Sequence, residues 1–138
     1  MDVTFEGKFL RVRVTVEDDY QTSMEFFTKL AGPCAEYNCR NILVISDSIP
    51  LAMMDAYDHA KIIKEAGFTI KHCLAWVEMN PKAREMDKFI ETVVVNRGLI
   101  QVWLFSDESE ARTWFLGNRV IFQLKMPLHV ESLVITAA

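Results

Sequence analysis

The sequence predicts an α/β fold, and three observations carry that prediction. Apolar runs at 41–46, 69–77 and 100–105 are nearly continuous, the mark of strands covered on both faces. Amphipathic stretches with helix start and stop signals lie between them. Strand and helix signals alternate along the chain, the order of a sheet with helices packed against it, and crossovers between its parallel strands should be right-handed.

The first element is a strand over 9–16, where Leu10, Val12, Val14 and Val16 alternate with Arg11, Arg13 and Thr15. Gly7-Lys8 before it is a turn signal, so residues 3–5 are expected to form the other arm of a hairpin. Glu17-Asp18-Asp19 then sets negative charge ahead of a helix over 20–37, where the helix dipole favours it. Met24, Phe27, Leu30 and Cys34 fall at helical spacing, and Gly32-Pro33 should kink or divide that helix. The strand over 41–46 leads through Asp47-Ser48-Ile49-Pro50 into a helix over 51–66, capped by Ser48 or Asp47 and stopped at Gly67.

After the strand over 69–77, Asn80-Pro81 reads as an N-cap followed by proline at the first helical position. The helix that follows should bury Met86, Phe89, Ile90, Val93 and Val94 and stop at Gly98. A fourth strand covers 100–105. Asp107-x-x-Glu110 resembles a capping box for the last helix, with Ala111, Trp114 and Phe115 on its inner face.

Composition narrows the class. At 138 residues the chain is most simply one domain, and its 51% apolar and 25% charged residues are globular values. A net charge of −4 gives no electrostatic footprint for nucleic acid. No apolar run approaches the roughly 20 residues needed to span a bilayer. The N-terminus shows no secretory pattern, so a cytoplasmic location is expected. Cys34, Cys39 and Cys73 form no metal-knuckle or C-x-x-C spacing and read as buried thiols of a reducing compartment.

Phe9-Leu10-Arg11-Val12, Met53-Met54-Asp55-Ala56-Tyr57, and Asn96-Arg97-Gly98-Leu99 ahead of Trp103-Leu104-Phe105-Ser106-Asp107-Glu108 carry a family resemblance. Over residues 1 to about 116, the chain resembles the SpoIIAA-like (STAS-like) domains, related to bacterial anti-sigma-factor antagonists and similar to the CRAL-TRIO lipid-binding fold. The resemblance implies a small mixed sheet of about four to five strands with helices packed mainly on one face, and no family-wide catalytic activity. It also implies a regulatory or protein-interaction role. In phosphorylatable antagonists a switch serine follows a Met-Asp pair. Here Met54-Asp55 is followed by Ala56-Tyr57, so that switch is missing at that position.

Candidate site residues follow from the strand ends, where open α/β sheets form their ligand crevice and helix N-termini favour anions. Asp47, Ser48, Asn80 and Ser106 are the polar positions there, with Met54 and Asp55 beside them; simple helix capping is the competing reading. The cluster of Met53, Met54, Met79 and Met86 reads as core or as an adaptable pocket wall. Asp55 and His59 share a helix face at i,i+4, but a metal needs more convergent ligands, and a surface pair is the expectation. No nucleophile–base–orienter set, G-x-S-x-G elbow or phosphate loop is present, so no enzyme, cofactor or metal is expected. The two classes left are a non-enzymatic interaction module and a binder of a small apolar or anionic, lipid-like ligand. Residues 117–138, with apolar runs on either side of Pro127, form an extension expected to cover the domain or a second subunit in a homodimer.

Overall fold

The computed structural model describes residues 1–15, 17, 19–49 and 56–118. Met54, Asp55 and the extension beyond 118 lie outside the described residues, and so do the expectations placed on them. The chain forms strands β1 (Asp2–Phe5) and β2 (Leu10–Val14), helix α1 (Tyr20–Glu36), strand β3 (Asn41–Ser46), helix α2 (Ala56–Glu65) and strand β4 (Cys73–Glu78). Helix α3 (Arg84–Asn96), strand β5 (Gln101–Phe105) and helix α4 (Glu108–Thr113) follow, with a π-helical turn over Trp114–Asn118.

The five strands make one mixed sheet in the order β1-β2-β3-β4-β5. β1 and β2 form the antiparallel hairpin, turning through Gly7 at φ 85°, a left-handed conformation that favours glycine. All later pairings are parallel, and the register sets Leu10, Ile42, Leu74 and Val102 side by side, with Val12, Val44, Trp76 and Leu104 in the next row.

That register explains the layers, because successive strand residues point to opposite faces. Leu10, Val12, Ile42, Val44, Leu74 and Val102 join Phe27, Leu30, Ile62, Ile63 and Val94 in one core, which packs α1, α2 and α3 on the same face. The alternate residues Leu43, Ile45, Ala75, Val77, Trp103 and Phe105 meet Ala111, Trp114 and Phe115 on the other face, under α4. Each large apolar side chain buried in these layers contributes about 1.5–3 kcal/mol of transfer free energy. The molecule is thus α/β with a layer on each side of the sheet.

Several sequence signals act as expected. Asp19 caps α1 by accepting from the Thr22 N–H (2.8 Å), and Asp107 caps α4 by accepting from the Glu110 N–H (2.9 Å). Gly67 and Gly98 end α2 and α3 at φ 94° and 63°. In each case the next N–H reaches back six residues inclusive, Phe68 to Ile63 O and Leu99 to Val94 O.

Other signals do not. Gly32-Pro33 does not divide α1, which runs unbroken through Pro33. The proline removes the one intrahelical bond its N–H would have made to Lys29 O, and the helix carries on for three residues beyond it. Met86 and Phe89 are not buried: they are 37% and 48% exposed, while Val93 and Val94 of the same helix are covered. Glu110 does not complete a capping box; its carboxylate accepts from the Ser106 hydroxyl instead (3.2 Å). Among the described residues no helix is long and apolar enough to cross a membrane.

Candidate functional site

The helix-covered face of the sheet changes character at its last row. Along β4, Leu74, Trp76 and Glu78 point the same way by strand alternation, and the register pairs Glu78 with Ser46 of β3. An apolar face therefore ends on a hydroxyl and a carboxylate. Glu78 is 0% exposed. A buried charge persists only when hydrogen-bonded, and the two loops leaving β3 and β4 supply the donors. The Ser48 N–H donates to Glu78 Oε2 (2.9 Å), and so does the Asn80 N–H (3.1 Å). Trp76 Nε1–H donates to Oε1 (3.4 Å).

Further bonds tie the two loops together. Asn80 Nδ2 donates to Ser48 O (2.7 Å), the Met79 N–H to Ser46 O (2.7 Å), and the Ser46 and Ser48 hydroxyls share a bond of 2.8 Å. Arg84, the first residue of α3, donates from Nε to the Glu78 backbone oxygen (3.0 Å). Burial presses the Glu78 carboxyl upward most strongly. Hydrogen bonds from Asp87, Ser48 and Asn80 together outweigh it and hold the group below the ordinary carboxylate value.

Beneath this row lies a partly open cavity of about 60 Å³ between the sheet and α1–α3. Phe26, Phe27 and Trp76 form its aromatic wall, in edge and stacked contacts with centroids 5.0–6.4 Å apart. Ser23, Ser48, His59, Asp87 and Glu91 bring polar atoms to it. Glu91 Oε2 accepts from the Leu104 N–H on the outer edge of β5 (2.6 Å). Burial pushes the Glu91 carboxyl up, against the opposing pull of that N–H and of Lys88.

The structure thus brings Ser48 and Asn80 together, around a glutamate the sequence reading passed over. Its signal was present: Glu78 closes the apolar run Cys73-Leu74-Ala75-Trp76-Val77, where a charge has no reason to be unless it is held. Asp47 is exposed, and its N–H donates to Val14 O (3.1 Å). Ser106 sits at the end of β5, engaged with Glu110. Asn80 caps a turn by accepting from the Lys82 N–H (3.0 Å), but the helix proper begins at Arg84, not at Pro81.

His59 corrects an expectation: it is buried against the cavity rather than on a surface face. Met79 is exposed, so neither it nor Met86 belongs to a pocket wall. The three cysteines are buried and form no disulfide, and burial, then the neighbouring Cys39, pushes the Cys34 thiol up to about 11. Among the described residues no group of three or more histidine, cysteine, aspartate or glutamate side chains is placed to hold a metal ion. Compared with known proteins, the chain matches no protein-family model, and no curated protein matches its sequence.

Proposed function

We propose that this chain is a non-enzymatic, STAS-like regulatory module that works by docking a protein partner on the α2–α3 face. The observation that carries this reading is an exposed aromatic pair. Tyr57 of α2 (52% exposed) and Phe89 of α3 (48% exposed) meet edge to face at 6.4 Å, with Met86 one turn before Phe89. Arg97 lies over the Tyr57 ring at 4.9 Å and gives the patch a charged rim. Two aromatics in contact, an arginine over one ring and a methionine one turn away, all left in water, are the composition of an interface centre. Support for the STAS-like assignment comes from the sequential strand order with one antiparallel hairpin and from three successive helices on one face. Without a serine after Met54-Asp55, the module works by constitutive docking or by a signal other than phosphorylation there.

A photocrosslinking residue placed at position 89 in cells of the source organism tests the reading. A discrete adduct from position 89, absent from the exposed Lys61 position, is expected. Mass spectrometry of the adduct separates a second copy of the chain, the homodimer reading, from a different protein. Identical, diffuse crosslinking from both positions overturns the proposal. The cavity supports a small-ligand reading beside this one. Its size argues against enclosing an acyl chain, since it is well under the roughly 150 Å³ of an apolar cavity that takes up benzene.

A further inference from the structure

The cavity under Glu78 has an unusual combination of size, wall and charge for a region that could have closed as ordinary core. Its volume of about 60 Å³ is larger than one water requires, yet well below what takes up an aromatic ring. Three aromatic side chains, Phe26, Phe27 and Trp76, supply π faces or edges on one side. The Glu91 carboxyl and the hydrogen-bonded Asp87–Glu78 pair bring negative charge to the α3 side, and no lysine or arginine is among the described lining residues. Directly above, hydrogen bonds hold the Glu78 carboxyl below its ordinary value.

Aromatic rings together with carboxylates form the recognition set for an organic cation. The ring quadrupole attracts positive charge within about 6 Å of its centroid, more so when the site is desolvated. A carboxylate adds a charge-assisted hydrogen bond to an N–H donor. The same carboxylates repel an anion and leave a neutral hydrocarbon facing groups it cannot pair.

We propose that this cavity binds the head of a small organic cation, an alkylammonium of a few heavy atoms, between the Phe26–Phe27–Trp76 wall and the carboxyls of Asp87 and Glu91. The opening lets a longer substituent project outward, so the head is what the site selects. Glu91 is placed to respond to occupancy. It joins the cavity to the edge of β5 through the Leu104 N–H, and α3 also carries Phe89 of the docking patch. Filling the cavity would thus act on the helix that presents the partner-binding face. The binding site itself does not depend on that docking role.

The experiment is a titration of the full-length protein with ethylammonium, n-propanol and propionate, followed by the ¹⁵N–¹H signal of the Trp76 indole. That N–H points at Glu78, next to the cavity. Ethylammonium is expected to shift the signal saturably, with propanol and propionate leaving it in place. Glu91→Gln, whose amide oxygen can still accept from Leu104, is expected to weaken ethylammonium binding about tenfold, a loss of roughly 1.4 kcal/mol. No saturable shift with ethylammonium, an equal shift with propanol, or preferential binding of propionate each overturns the proposal. The comparison among the three wild-type titrations decides the matter even if the variant does not fold.

Discussion

Glu78 shows how one residue can organise a strand end. Three N–H donors, from Ser48, Asn80 and Trp76, converge on its two oxygens, and all would lose their acceptor together. A buried donor left without a partner costs about 1–3 kcal/mol. Glu78→Gln keeps one accepting oxygen but turns an NH₂ group toward one set of those donors. It should destabilise the protein by about 1–3 kcal/mol in urea or guanidinium unfolding. Glu78→Ala should cost more, because it strips every acceptor and opens a cavity besides. A Glu78→Gln variant as stable as the parent would mean that the carboxylate's charge is not what the three donors require. The sign with pH follows from the same contacts. The folded carboxyl titrates below its ordinary value of 4.5, so its contribution is present above that value and is lost as pH falls through the folded one.

At the scale of elements, what was legible in the sequence was what local chemistry decides alone. Asp107 could be read as a cap because the Asx side chain and the N–H it binds are three residues apart and need no tertiary help. Asp107→Ala should therefore cost about 1 kcal/mol, and since α4 covers Trp103 and Phe105, thermal unfolding monitored by tryptophan fluorescence is the direct measurement. No change in midpoint would show that α4 is held by its apolar contacts alone. Gly67 and Gly98 were legible for the same local reason, because a left-handed residue must end the helix. Tertiary context defeated the rest. Phe89 lies at helical spacing with buried residues, yet α3 turns it toward solvent beside Tyr57, and no period reveals which side of a helix the sheet will cover. Ser48 and Asn80 were singled out one at a time. Their meeting depends on β3 and β4 being neighbours in register, a 32-residue separation that spacing cannot express.

Among the described residues the sheet has unequal coverings, three helices on one side and the short α4 on the other, and charge helps to hold α4 in place. Arg11 of β2 grips Glu108 with two bonds, Nε to Oε2 at 3.0 Å and Nη2 to Oε1 at 3.1 Å. Arg112 bonds Glu108 at 2.7 Å and Glu6 of the hairpin turn at 3.0 Å, with its guanidinium 5.5 Å from the centroid of the Phe9 ring. Single exposed ion pairs contribute little, but a shared network with a bidentate arginine is the arrangement in which they count. The Arg11 hydrogen bond, helped by Arg112, holds the Glu108 carboxyl down at about 2, from an ordinary 4.5. Because the folded value is the lower one, the stabilisation is complete above 4.5 and drains away as pH falls from there toward 2. Burial moves Glu91 the opposite way, so its protonation partly offsets the loss. Melting temperatures taken from about pH 7 to about pH 3 should fall more steeply in the parent than in Glu108→Gln, which has no charge at 108 left to lose. Salt should narrow the difference between the two at neutral pH, since the network is only partly buried. If the two proteins lost stability in parallel across that range, the ion network would be a contact between layers without energetic weight, and α4 would be held by Trp114 and Phe115 instead.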